Sequence, residues 1–93
     1  KLEPKSAAFA ADLCHAHLDL KDAARAVTEC RAAVSLDPGY AFAHYELGKA
    51  LVAKGDCAAA VPELAKFRAL PGVKPEAKAQ AEAIARLCAP QGK

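Results

Sequence analysis

The segment Leu36-Asp37-Pro38-Gly39-Tyr40-Ala41-Phe42-Ala43-His44-Tyr45-Glu46-Leu47-Gly48 places a helix end, a tight turn and a helix start in immediate succession. A weaker copy of its surroundings lies 34 residues away: the shift carries Leu13 onto Leu47, Asp22 onto Asp56, Ala26 onto Ala60 and Leu36 onto Leu70. Under the same shift Ala24 falls on Ala58 and His15 on Lys49. A fixed period of this size marks a repeat architecture, whose units cannot bury an apolar face alone and must stack. The question therefore turns from which reaction the chain runs to which partner it holds.

Alanine supplies 25 of the 93 residues, and Asn, Met and Trp are absent. Alanine has the highest helix propensity and lets helices approach closely, so the composition argues for tightly packed α-helices. It also makes a thin core, because each Ala buries little apolar area. Short repeat arrays offset that with staples or with neighbouring repeats. The length fits one domain over 1–93, or one piece of a longer array, and the lack of Met at Lys1 suggests a processed or excised segment. No apolar run approaches the ~20 residues of a membrane span, and no signal peptide is visible.

Periodicity and punctuation predict five helices. The first runs from about Lys5 to Leu18, with Phe9, Leu13 and either Ala16 or His17 on one face. Asp22 is a good N-cap for the second, which turns Ala26, Val27, Cys30 and Val34 inward and stops before Asp37-Pro38. The third starts near Tyr40 and ends before Gly55, with Leu47, Leu51, Ala43, Gly48 and Ala50 available for packing. Asp56 caps the fourth as Asp22 caps the second, and Pro62 is expected to bend or weaken it. Pro71-Gly72 closes that helix. Pro75 opens the last, at a position where a missing N–H costs nothing, and the helix runs to about Cys88. Its apolar face carries Ala77, Ala81, Ile84 and Cys88, and its wet face suits a cap.

The chain resembles a tetratricopeptide repeat protein, with repeats at 7–40 and 41–74 and a capping helix at 75–88. Leu47-Gly48 matches the family's large-then-small pair in the first helix, and Leu13-Cys14 matches with Cys in the small position. Ala26 and Ala60 stand where the family needs a small residue in the second helix. Pro38 is the closing proline of the first repeat, while the second shifts it to Pro71. The usual aromatics are replaced by Ala10, His17, Ala23 and Cys57. The resemblance implies an all-α, right-handed superhelical stack of antiparallel helix pairs, bacterial in origin, whose first helices line a concave groove for a partner segment. Carried onto this chain, the groove would draw on Ala8, Ala11, Asp12, His15 and Asp19, then on Phe42, Tyr45, Glu46, Lys49 and Val52. Phe42 and Tyr45 are the expected anchors, with packing between helices as the competing reading of both. The family's best-known mode clamps a C-terminal carboxylate with Lys and Asn; Ala11 and His15 occupy those positions here, which argues against it.

Cys57 opens the fourth helix and Cys88 closes the fifth, so antiparallel packing of the two brings the sulfurs together. A bridge there would close a loop of about thirty residues, worth ~3 kcal/mol in the chain-entropy model. It would also imply an oxidising compartment such as the periplasm. Cys14 and Cys30 lie on paired helices but one turn out of step if Cys14 opposes Ala26. That offset takes the α-carbons to about the 7 Å limit for bridging, so a second disulfide and two buried thiols both stay open. Cys14, His17 and Cys30 could share a metal, but no CxxC, HxxxH or HExxH pattern is present and no metal or cofactor is expected.

Ser6, Ser35, Thr28, Tyr40 and Tyr45 are the only hydroxyl side chains, and none sits in a nucleophile motif. Asp12, Asp19 and Glu46 read as exposed helix charges rather than a catalytic pair. A net charge of +2, with acids interspersed among Lys49, Lys54, Arg68, Lys74 and Lys78, argues against nucleic acid. The reading that follows is a non-enzymatic interaction scaffold for a protein or peptide segment, such as an envelope assembly factor. A structural repeat fragment completed by other repeats of a parent protein, and a cysteine-based redox- or metal-responsive domain, are the alternatives.

Overall fold

The recurrence of 34 residues reappears as a recurrence of helix starts. In the computed structural model, which describes residues 6–88, five helices follow one another: α1 Ala7–Asp19, α2 Ala23–Leu36, α3 Ala41–Lys54, α4 Cys57–Ala69 and α5 Pro75–Arg86. No strand occurs among the described residues. Ala7, Ala41 and Pro75 begin the odd-numbered helices, and Ala23 and Cys57 the even-numbered ones, each separated from the last by that interval. Side-chain caps set three of these starts. Ser6 Oγ accepts from the Phe9 amide at 3.3 Å, and Asp22 and Asp56 each accept at 3.2 Å from the amides of Arg25 and Ala59. The expected start of α1 at Lys5 thus moves to Ala7, because Ser6 is the cap; Lys5 itself lies outside the described residues.

The helix ends repeat too. Asp22 donates its amide to the His17 carbonyl and Asp56 to the Leu51 carbonyl, each at 2.8 Å, across a residue held in the left-handed region. In the second pair that residue is Gly55, φ 90°; in the first it is Lys21, φ 65°. A side chain at positive φ costs ~1–2 kcal/mol, only part of which Lys recovers through a more restricted unfolded chain. Lys21→Gly is therefore expected to raise the melting temperature by about 2–6 °C in a domain of this size. A lower melting temperature by calorimetry would mean that the Lys21 side chain makes a contact worth more than the backbone cost.

Helices α1 and α2 form one antiparallel pair and α3 and α4 the next, while α5 packs on α4 and along one edge of α3. Helix α3 touches all four others and carries the most buried residues, including Leu47, Gly48, Ala50 and Leu51. The reason is partly steric. A β-carbon built at Gly48 would lie 2.6 Å from Leu64 Cγ, so the absence of a side chain lets α3 and α4 cross closely. Helix α4 runs on through Pro62, which is exposed, as a single element. Helix α5 ends at Arg86, two residues short of the expected Cys88.

The inward face of α1 departs from expectation. Ala10, Ala11 and Cys14 are buried, whereas Phe9, Leu13 and His17 are half-buried and Ala16 is exposed. Small residues win the inner face because α2 approaches there with its own small residues, Ala26, Cys30 and Ala33, all fully buried. All four cysteines are paired as disulfides. Cys57–Cys88 ties the end of the cap to the start of α4, as expected, with α-carbons 5.4 Å apart. Cys14–Cys30 is bridged as well, with α-carbons at 5.3 Å. The expected one-turn offset is absent because Asp22, in the turn, lies midway between them in sequence, so the hairpin sets them level.

Candidate functional site

One cleft lies where α3 and α5 meet the end of α4. Phe42, Tyr45, Phe67, Ala77 and Gln80 line its volume of about 290 Å³. Phe42 sits one residue into α3 and is 37 % exposed, an unusual state for a phenylalanine this close to a core. Tyr45 follows it at i+3 on the same side and leans on Phe67, with ring centroids 5.1 Å apart. Lys49 Nζ lies 5.4 Å from the Tyr45 ring centroid, near enough for a cation–π contact of about 0.5–1 kcal/mol. Gln80 gives the far wall one neutral donor–acceptor group.

A polar strip crosses from this cleft to α1. His15 Nδ1 is 3.2 Å from Glu46 Oε1, its Nε2 is 3.6 Å from Asp19 Oδ2, and Glu46 Oε2 is 3.5 Å from Lys49 Nζ. The structure thus brings His15, Asp19, Glu46 and Lys49 together. Phe42 joins them through its ring, 6.4 Å from that of His15. Glu46 is not the exposed charge that its place on α3 suggested: it is 2 % exposed, roofed by His15 from α1. A carboxylate so buried is held by its partners and is not offered to a ligand. Asp12 is exposed on α1 and lies outside the cleft lining, as do His15 and Asp19. Ala8 and Ala11 add no wall, Ala11 being fully buried.

A second depression of about 400 Å³ opens between the ends of α2 and α4, lined by Val34, Pro38, His44, Lys66, Ala69 and Leu70. His44 is 4 % exposed. Its Nδ1 lies 2.9 Å from Glu63 Oε1 and its Nε2 2.6 Å from the Pro38 carbonyl oxygen. The ring bridges the two groups and so pins the α2–α3 turn to α4. Those internal bonds occupy the polar groups of this depression, which makes it a structural joint. The signal in the sequence was spacing: His44, Leu47, Gly48 and Leu51 share one helical face, all of it buried. Phe67, Ala77 and Gln80 were missed for another reason, since they reach the cleft from α4 and α5 rather than from the first helix of either repeat.

Among the described residues, no group of three or more His, Cys, Asp or Glu side chains is placed to hold a metal ion, and no helix is long and apolar enough to cross a membrane. No family model matches the sequence, and no curated protein matches it either.

Proposed function

We propose that the chain is a non-enzymatic interaction module of the tetratricopeptide kind, and that the cleft between α3 and α5 takes an apolar or aromatic side chain of a partner peptide. The observation that carries this reading is Phe42, a large ring left 37 % exposed beside Tyr45 over a concave surface. Exposed aromatics in a concavity release much water at small entropic cost when a partner covers them. Gln80 offers the partner's backbone one hydrogen bond, and Lys49 at the rim favours an acidic neighbour in the peptide. A cleft this small suits a transient contact, with Kd near ~1 μM, about −8 kcal/mol. Two disulfides within one small domain favour an oxidising, extracytoplasmic compartment, as for an envelope assembly factor.

Selection from a display library of random peptides tests the reading. Binders should share an apolar or aromatic residue, and Phe42→Ala should weaken them about 5–30-fold, the ~1–2 kcal/mol of an interface anchor. Its melting temperature should hold, because Phe42 lies outside the main core clusters. Selected peptides that bind wild type and Phe42→Ala equally would place recognition elsewhere.

A further inference from the structure

The two disulfides sit in opposite settings. Cys14 and Cys30 are both 0 % exposed, in the middle of α1 and α2, on helices that also bury Ala10, Ala11, Ala26 and Ala33. Cys57 and Cys88 are both half-buried, at the first residue of α4 and just past the end of α5, next to the exposed Leu87. A thiol in solution therefore reaches the second bridge from the surface, whereas the first opens only when α1 parts from α2. Helix α5 is otherwise weakly held. Ala81 is its one fully buried side chain among the described residues, resting on Leu64 and Phe67 with Ala77 and Ile84 half-buried beside it. An alanine buries little apolar area. Among the described residues the ion pair of α5, Arg86–Glu82, lies within the helix, and none reaches α3 or α4. A detached helix of 12 residues is at the limit of what keeps its own structure in water.

We propose that Cys57–Cys88 is a redox-labile latch on α5, opened by a protein dithiol, and that its opening dismantles the cleft between α3 and α5. A thiolate of the dithiol attacks Cys88 Sγ and forms a mixed disulfide. Cys57 leaves as a thiolate at the start of α4, the helix end that favours negative charge. The second thiol of the reductant then attacks its own partner sulfur in the mixed disulfide, and Cys88 leaves as the second thiolate. Both thiolates take up protons, so two electrons and two protons pass from the dithiol, which ends as a disulfide. With the latch open, only residues 70–74 tie α5 covalently to the body. The cleft loses Ala77 and Gln80, its wall on α5, and Phe67, 6 % exposed while α5 is docked, is bared to water. The sealed Cys14–Cys30 bridge keeps the first pair closed meanwhile, so reduction alters one end of the stack and spares the rest. Release of a bound peptide by this route rests on the function proposed above; the latch does not.

The test treats the full chain with graded dithiothreitol, traps free thiols with iodoacetamide and reads the alkylated positions by mass spectrometry, with amide exchange followed in parallel. Cys57 and Cys88 should be alkylated at least about tenfold faster than Cys14 and Cys30. In the chain reduced only at that bridge, the amides of α5 should exchange about 30-fold faster or more, the loss of a constraint across a separation of 31 residues. Those of α1 and α2 should keep their protection. Cys57→Ser combined with Cys88→Ser should free α5 in the same way without any reductant. Equal alkylation of all four cysteines would overturn the latch, as would α5 amides equally protected in the oxidised and reduced chains. Protection lost from α1 and α2 along with α5 would overturn it too, since the bridge would then hold the whole fold. A peptide selected on the oxidised chain should leave both the reduced chain and the double variant. One that binds all three alike while α5 exchanges freely would reject the cleft as its site and leave the latch standing.

Discussion

Replacing Cys14 and Cys30 together by Ser should lower the unfolding free energy by about 3–5 kcal/mol, a large share of the stability of any small domain. Closing a separation of 16 residues contributes about 3 kcal/mol in the chain-entropy model. Two hydroxyls placed where both sulfurs are fully buried add a desolvation cost. The repeat supplies its own control. Under the shift of one repeat, Cys14 and Cys30 fall on Gly48 and Leu64, so the second pair closes the same crossing with a glycine against a leucine. The double variant Cys14→Gly, Cys30→Leu should therefore recover the packing and lose only the constraint on the unfolded chain. It should unfold between the parent and the Ser variant in urea. If the Ser variant unfolds at the parent's midpoint, the bridge does not stabilise the first pair.

The second large effect is expected at Gly48. Alanine there gains about 1 kcal/mol of helix propensity over glycine. Its β-carbon, however, meets Leu64, which is 0 % exposed and has nowhere to retreat. Overpacking a filled crossing costs ~1–3 kcal/mol, so Gly48→Ala should be destabilising on balance and Gly48→Leu should prise α3 from α4. Adding Leu64→Ala to Gly48→Ala should relieve the clash, which a double-mutant cycle in urea would report as a coupling of at least ~0.5 kcal/mol. A Gly48→Ala chain more stable than the parent would show that propensity outweighs the contact.

Much of this architecture was legible because it rests on local rules. Asp22 and Asp56 announce helix starts, Gly55 and Pro71 announce ends, and the spacing of the pairs follows from them. Cys57–Cys88 was legible for the same reason, since it depends only on which helix ends meet. What escaped depends on which face of a helix its neighbours cover. The apolar stripe Phe9, Leu13, His17 looks more core-like than Ala10, Ala11, Cys14, but nothing among the described residues stacks on it as α2 stacks on α3. Glu46 and His44 look like surface residues until a long-range partner, His15 or Glu63, is placed over them. The cleft was half legible: Phe42 and Tyr45 stood out as adjacent aromatics, whereas Gln80 and Ala77 carry no signal apart from their position on α5.

Helices α2 and α4 do not touch among the described residues, so the two pairs are coupled only through α3. In elastic terms the molecule is a sheet of rods fastened along one edge. Bending that spreads α2 from α4 breaks no helix–helix contact on the outer row, whereas compressing the inner row pushes α1 against α3 and α3 against α5. Any change of curvature about the α3 axis must strain the joint between α4 and the α2–α3 turn, the His44 ring between the Pro38 carbonyl and Glu63. On the proposed function, a peptide wedged at Phe42 would load one side of that axis while His44 restrains the other.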